Sequence, residues 1–137
     1  MIFVADENFS PRLVRVLEAF DRESEIRHLL DLFPRGSDDL DWIAGLATSN
    51  PKPVIVGGDG RILRNAAERA ALRTSGLSFV YLAKGWANTG YQEQAWKIVK
   101  AWPAIVRNVE QVLVPTVFEV RVGSSLKIER RWTTSQL

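Results

Sequence analysis

The segment Val54-Ile55-Val56-Gly57-Gly58-Asp59 decides the fold class of this 137-residue chain. Its β-branched residues form a short apolar run, which is typical of a strand buried in a parallel sheet. Two glycines and then an aspartate follow the run. The N-terminal segment Ile2-Phe3-Val4-Ala5-Asp6 has the same arrangement, a short apolar run followed by an acid. We therefore predict two buried strands that each lead into an aspartate.

Strand-like and helix-like runs alternate along the rest of the chain. Further strands are predicted over 25–33 and 79–82. Ser10-Pro11 predicts the start of the first helix, and Asp38 predicts the start of the second. The later helices are predicted over about 61–74 and over 91–113, the last one kinked or split at Pro103. This order predicts an α/β fold, a mainly parallel sheet covered by helices on both faces.

The C-terminal part predicts a β-hairpin. Residues 116–122 and 126–132 alternate between apolar and polar side chains and are separated by Gly123-Ser124-Ser125. We expect residues 1–132 to form a single domain that ends in this hairpin, over 114–132, because the length suits one domain. Residues 133–137 are expected to be a flexible tail.

The composition restricts the chemistry available to the chain. There is no cysteine and one histidine, His28, which excludes disulfides, thiolate zinc sites and multi-histidine metal sites. Any metal would be bound by oxygen ligands, which favours Mg²⁺ or Mn²⁺. The net charge of +2 hides an asymmetry: residues 1–59 hold 11 acids and 6 bases, and residues 60–137 hold 5 acids and 12 bases. A basic half suits nucleic acid or an acidic partner.

No targeting or membrane segment is predicted. The N-terminus has no basic start and reaches Asp6 within six residues, unlike a signal peptide. Charged residues interrupt every apolar run well before the ~20 residues that a membrane span needs. We expect a cytoplasmic protein without a membrane partner.

Acids cluster at the predicted carboxyl edge of the sheet, where parallel α/β proteins place their functional residues. Two carboxylates ~4 Å apart repel by roughly 4 kcal/mol at an effective dielectric near 20, so a cluster of three needs a shared proton or cation. Taken singly, Asp38 is better explained as a helix cap and Asp59 as a turn residue. The pairing of Asp6 with Asp59, each after a strand, favours a site. The polar residues at this edge are Asp6, Glu7, Asn8, Asp38, Asp39, Asp41 and Asp59.

Three segments in this order resemble the motifs of PIN-like ribonuclease domains. Asp6-Glu7-Asn8 resembles the first motif, and Gly36-Ser37-Asp38-Asp39-Leu40-Asp41-Trp42-Ile43 resembles a G-[ST]-x-D-x-x-W-I segment. The third segment is similar to the third motif of the VapC-type toxin branch. It consists of Gly58-Asp59-Gly60-Arg61-Ile62-Leu63-Arg64-Asn65, followed by Glu68-Arg69-Ala70-Ala71-Leu72. The resemblance covers about residues 1–86.

The resemblance implies a three-layer α/β/α PIN fold and Mg²⁺- or Mn²⁺-dependent cleavage of RNA. It also implies a toxin of a bacterial type II toxin–antitoxin pair, with a cognate antitoxin protein as partner. By motif match, Asp6, Asp39 and Asp59 would be catalytic metal ligands, and Asn8 would support them. Many PIN domains carry a fourth acid where this sequence has Arg61, so a second metal would be absent or held by Glu7 or Asp41. A catalytically degenerate module that binds RNA or protein is therefore the alternative.

Basic and aromatic residues near this edge are candidates for RNA binding. Arg61, Arg64 and Lys84 are expected to bind phosphates. Trp86 is expected either to stack on an unpaired base or to fill the core. Arg64 and Glu68 also have the i,i+4 spacing of an ion pair.

Other residues suggest packing, a partner surface or a rival fold. Trp96 and Trp102 are expected to pack in the core or in a homodimer. The basic hairpin either binds a partner by strand addition or is an edge protected by its charges. A phosphorylatable receiver domain is a third hypothesis, but it needs a Ser or Thr where the fourth strand ends at Leu82-Ala83.

Overall fold

The computed structural model describes residues 1–83, 85–123 and 125–137. It contains a six-stranded sheet of order β2-β1-β3-β4-β5-β6, in which β1 to β5 are parallel and β6 is antiparallel to β5. The predicted α/β fold and the C-terminal hairpin are both confirmed. The strands are β1 (Ile2–Ala5), β2 (Glu25–His28), β3 (Val54–Gly57), β4 (Phe79–Leu82), β5 (Thr116–Val122) and β6 (Leu126–Thr133).

In the part of the chain that the structure describes, five α-helices connect the strands. Ser10 caps the first helix, and Asp38 caps the second by accepting a hydrogen bond of 2.9 Å from the Leu40 amide. Both caps were predicted from the sequence, since serine and aspartate satisfy the unpaired amides of a first helical turn. The helices are α1 (Pro11–Phe20), α2 (Asp39–Ala47), α3 (Arg61–Arg64), α4 (Ala66–Ser75) and α5 (Tyr91–Gln111).

The sheet separates two apolar layers. Phe3 and Ala5 point to the face packed by α1 and α5, while Val4 points to the face packed by α2, α3 and α4. The alternation follows from the two-residue period of a strand. Trp102 is buried as predicted, and Trp42 is buried as well. Trp96 is half exposed on α5, which excludes the core for this side chain and leaves the homodimer alternative.

The second strand is shorter than predicted. β2 ends at His28, and residues Leu29–Asp31 form a 3₁₀ helix instead of continuing the strand. The His28 ring accepts a hydrogen bond from the Leu30 amide, and the Asp31 carboxylate accepts one from the His28 amide. These side-chain contacts turn the backbone although the apolar alternation continues. His28 is buried, with Nε2 2.6 Å from the Phe9 carbonyl oxygen.

Two helix predictions also change. The helix predicted over about 61–74 is broken at Asn65, whose backbone is extended (φ −70°, ψ 125°) and whose side chain caps α4. The helix predicted over 91–113 is one element, Tyr91–Gln111, with Pro103 inside it, so it is not split. No helix in the described residues is both long and apolar enough to cross a membrane.

The last residues pack against the fold, contrary to the prediction of a flexible tail. β6 continues to Thr133, and a 3₁₀ helix covers Thr134–Gln136. Thr134 is 1% exposed and donates a hydrogen bond of 2.7 Å to the Leu77 carbonyl oxygen. Leu137 is buried, and its carbonyl oxygen accepts a hydrogen bond from Arg73. These long-range contacts have no counterpart in the local sequence pattern.

The Thr134 contact predicts a measurable contribution to stability. Replacing Thr134 by Val keeps the shape of the side chain but leaves the buried Leu77 carbonyl without its donor, which typically costs about 1–3 kcal/mol. We expect Thr134→Val to lower the free energy of unfolding in urea by this amount. The exposed neighbour Ser135, changed to Ala, is the control, with an expected change within about 0.5 kcal/mol. Equal effects of the two changes would contradict a packed C-terminus.

Candidate active site

The pairing of β1 with β3 brings two predicted acids to one edge of the sheet. Ala5 is paired with Val56, and the amide of Asp6 donates a hydrogen bond of 2.9 Å to the Val56 carbonyl oxygen. The Asp6 carboxylate lies against Gly57, where a Cβ atom would overlap its Oδ2. A residue without a side chain is therefore required at position 57.

A cavity of about 80 Å³ opens at this edge. Its floor is apolar and includes Ile55 and Phe79. The structure thus places three acids from distant parts of the sequence around one space. The polar side chains that line the cavity are those of Asp6, Glu7, Asn8, Asp39, Asp59 and Arg61.

Asp6 is the most buried of these acids, with 8% of its surface exposed. Burial raises the pKa of Asp6 to about 7, and the nearby charge of Asp59 adds to the rise. A hydrogen bond of 3.0 Å from the Phe9 amide to Asp6 Oδ1 opposes the rise and holds the carboxyl in place.

Asp39 is positioned by Trp42, one helical turn further along α2. The indole Nε1 of Trp42 donates a hydrogen bond of 2.8 Å to Asp39 Oδ1. Side chains three residues apart lie on the same face of a helix, so the Trp42 indole can reach the Asp39 carboxylate. The buried indole ring therefore fixes the direction of the carboxylate at the mouth of the cavity.

Glu68 is a further acid, not predicted from the sequence, which lies beside Asp39 but does not line the cavity. Burial and the neighbouring Asp39 carboxyl raise the pKa of Glu68 to about 7. Its Oε2 is buried and has no hydrogen-bond partner among the described residues. The pattern Asn65-x-x-Glu68 is a helix-start signature, so it was a usable signal for a helix that begins at 66. Since the helix breaks at Asn65, the predicted ion pair between Arg64 and Glu68 is not formed in the described residues.

Asp59 is held by Arg61, the first residue of α3. Arg61 Nε lies 2.9 Å and Arg61 Nη2 lies 2.7 Å from Asp59 Oδ2, and the Arg61 amide donates to Oδ1 at 2.9 Å. Burial works to raise the pKa of Asp59, but the hydrogen bonds and charge of Arg61 outweigh it and hold this pKa below its usual value. The Arg61 side chain is 68% exposed, so it lies over the acid from the solvent side.

Comparison with known families places the chain. The sequence model of a family described as a PIN like domain matches residues 1–84, which include all three acids. The chain belongs to the PIN-like domain family. Comparisons with curated proteins and with solved structures give no match. PIN domains are generally nucleases, so this PIN-like domain has a nuclease-type fold.

The remaining predicted residues of the PIN-like domain lie at different distances from the cavity. Glu7 lines it and accepts a hydrogen bond of 3.2 Å from the Gly36 amide. Asp41 is exposed on α2 and does not line the cavity.

Arg64 acts on Asp59 through its charge but lines a neighbouring cavity. Trp86 is partly exposed and stacks on Phe9, with ring centroids 5.9 Å apart. Lys84 lies outside the described residues.

The donor set of the cavity suits a hard divalent cation. Carboxylate and amide oxygens are the ligands that Mg²⁺ and Mn²⁺ prefer. A cation bound beside Asp6 would favour the ionised form of this carboxyl and so oppose the rise of its pKa. Within residues 1–83, 85–123 and 125–137, however, no group of three or more acids or histidines is close enough to hold a metal ion. The acids share a cavity, but three of them do not meet at one point.

The raised pKa of Asp6 predicts a stability that depends on pH. In the folded state this carboxyl keeps its proton up to about pH 7, whereas in the unfolded chain it loses it near pH 4. The folded state then binds more protons, so the free energy of unfolding decreases as the pH rises from about 4 to about 7. We expect Asp6 to account for roughly 4 kcal/mol of this decrease.

Urea unfolding of the wild type and of Asp6→Asn, in a buffer with a metal chelator, measures this effect. Asn stays neutral at every pH, so the variant should show a clearly smaller decrease, with the remainder due to Glu68. An identical slope in both proteins would contradict a raised pKa at Asp6.

Proposed function

We propose that this PIN-like domain is a metal-dependent endoribonuclease and acts as the toxin of a bacterial toxin–antitoxin pair. The observation that carries the enzymatic part is the cavity itself, where Asp6, Asp39 and Asp59 come from three separate segments of a nuclease-type fold. The toxin role and the cognate antitoxin rest on the resemblance of residues 58–72 to the VapC-type branch. A cytoplasmic location and a homodimer through Trp96 belong to the same hypothesis.

Each acid has a defined part in this proposal. Asp6, Asp39 and Asp59 would hold Mg²⁺ or Mn²⁺, which when bound polarises a phosphodiester oxygen and activates a water for in-line attack. Phe9 and Trp42 keep the carboxylates of Asp6 and Asp39 in fixed directions through hydrogen bonds. The apolar residues Ile55 and Phe79 in the lining of the cavity lower the local dielectric and strengthen these electrostatic interactions.

Basic and aromatic side chains would position the RNA. Arg61 and Arg64 carry charge next to Asp59 and suit phosphate oxygens, and Lys84 has the same proposed role. A cavity of about 290 Å³ extends from Asp59 to Trp86 and Gln94. Trp86 is fixed by its stacking on the buried ring of Phe9, so its partly exposed indole offers a rigid surface for an unpaired base.

Cleavage of a single-stranded RNA labelled at its 5′ end tests the enzymatic part. With Mn²⁺, we expect the wild type to produce internal cuts. Asp6→Asn and Asp59→Asn should each lower the rate by at least the roughly 10–100-fold that loss of an outer-shell partner of a metal ligand typically costs. Expression of the wild type should arrest bacterial growth, and these two variants should not.

The control is Glu110→Gln, which removes an exposed acid of α5 that does not line the cavity. This variant, purified in the same way, should cut at the wild-type rate, and a chelator should stop cutting in both. Equal cleavage by wild type, Asp6→Asn and Asp59→Asn would rule out the proposed mechanism.

The hydrogen-bonded pair of Asp59 with Arg61 favours a second candidate, a catalytically degenerate module that binds RNA or protein. Arg61 stands where many PIN domains have an acid, and its guanidinium contacts both oxygens of Asp59. In a degenerate module this cation would permanently take the place of the metal.

Thermal unfolding with and without Mn²⁺ separates the two candidates. For the enzyme, a hundredfold excess of Mn²⁺ over its Kd stabilises the wild type by about 2.7 kcal/mol, because only the folded state binds. For the degenerate module, Mn²⁺ leaves the melting temperature unchanged in the wild type and raises it only after Arg61→Gln. A response of Asp59→Asn equal to that of the wild type would place the metal elsewhere.

A further inference from the structure

A second cavity, of about 190 Å³, lies on the other side of the loop that carries Asp59. The loop after β3, the start of α3, strand β4 and the hairpin form its walls. Gly60 separates this space, which we call the hairpin cavity, from the acid cavity. The residues of the hairpin cavity that carry the argument are Gly60, Arg64, Tyr81, Glu119, Arg131 and Trp132.

The two cations of the hairpin cavity are Arg64, which lies close to Gly60, and Arg131, which an ion pair holds. A Cβ atom at Gly60 would lie 3.0 Å from Arg64 Nη1 and 3.1 Å from the Tyr81 hydroxyl oxygen, so both side chains approach this glycine closely. Arg131 Nη1 lies 3.1 Å from Glu119 Oε2, and its guanidinium lies 5.0 Å from the centroid of the Trp132 ring.

The charge around the hairpin cavity is positive. Two arginines, Arg64 and Arg131, line it together with one acid, Glu119. Arg69 adds a further guanidinium 6.0 Å from the centroid of the Trp132 ring. Arginine binds phosphate through two parallel hydrogen bonds and also stacks on aromatic rings. The surplus of guanidinium groups therefore suits an anionic ligand that has flat rings.

We infer that the hairpin cavity binds one nucleotide of a single-stranded RNA. Arg64 and Arg131 bind its phosphate, and the rings of Tyr81 and Trp132 pack against its base. The inference rests on the proposed function, because it assigns the path of the same RNA strand as it leaves the acid cavity across Gly60. Single-stranded RNA fits better than duplex, since its bases are free to contact aromatic side chains.

An acidic protein segment is the competing occupant. It would satisfy the arginines but would gain little from Tyr81 and Trp132, whereas every base has a face that stacks on an aromatic ring or a guanidinium plane. The partial exposure of both rings beside the cations therefore favours RNA.

Two neighbouring arginines of β6 provide a matched test. Arg131 lies in the hairpin cavity, whereas Arg130 donates a hydrogen bond of 2.9 Å to Gln111 of α5, on the opposite face of the sheet. Changing either one to Gln removes a single exposed positive charge from the same strand. Equal melting temperatures of the two variants show that both are folded.

Fluorescence anisotropy with a labelled eight-nucleotide RNA, in a buffer with a metal chelator, measures binding without cleavage. We expect Arg131→Gln to raise the Kd about tenfold, the loss of one charged hydrogen bond. The slope of log K against log salt should become shallower by about 0.7, the change for one phosphate contact on a single strand. Arg130→Gln should change the Kd less than about twofold.

Three outcomes overturn the inference. These are equal effects of Arg131→Gln and Arg130→Gln, a Kd for duplex RNA as low as for single-stranded RNA, and a poly-aspartate peptide that competes as well as RNA of the same charge. Because binding is measured with a chelator, a wild type that binds RNA here but never cuts it would remove the proposed nuclease function and leave this site standing. If the wild type cleaves RNA but Arg131→Gln and Arg130→Gln bind RNA equally well, the nuclease function stands and the site in the hairpin cavity is removed.

Discussion

The parallel pairing of β1 with β3 is the constraint on which the candidate site depends. It places Asp6 directly beside Gly57 and brings Asp59 to the same edge, although 53 positions separate the two acids in the sequence. Bringing carboxylates together in a partly buried space costs electrostatic free energy. The chain keeps this cost in the folded state instead of relieving it with apolar side chains, and such sites are candidates for function.

The acids around the cavity respond to this cost in different ways. Burial raises the pKa of Asp6 and of Glu68 to about 7, so both carboxyls accept a proton readily. Asp59 keeps its charge because Arg61 is bound to it. The cavity therefore combines an acid with a raised pKa, Asp6, and an acid with a lowered pKa, Asp59. That combination suits a metal ion that enters the cavity, as the nuclease proposal requires. It also suits Arg61 in place of the metal ion, as in the degenerate module, so the two candidate functions assign different roles to Arg61.

Local patterns predicted most elements of the fold, and the failures have a common physical cause. The apolar runs of β1 and β3, the caps at Ser10 and Asp38 and the hairpin are recognised within a few residues, since backbone preference and local hydrogen bonds decide them. The prediction failed where a side chain bonds back to the backbone, as His28 does at the end of β2 and Asn65 does between α3 and α4. It failed again at residues 134–137, which are ordered by contacts with Leu77 and Arg73.

The sequence by itself determined the alternation of strands and helices, the placement of Asp6 and Asp59 after buried strands, and the spacing of Asp39 to Trp42. Each of these depends on neighbours along the chain, and the membership of the PIN-like domain family follows from the same segments. Only the tertiary structure decided that Glu68 lies beside Asp39, that Arg61 covers Asp59 and that the hairpin meets Arg64 across a cavity. The reason is that the direction of a side chain, and what it meets there, is set by elements far away in the sequence that pack against it.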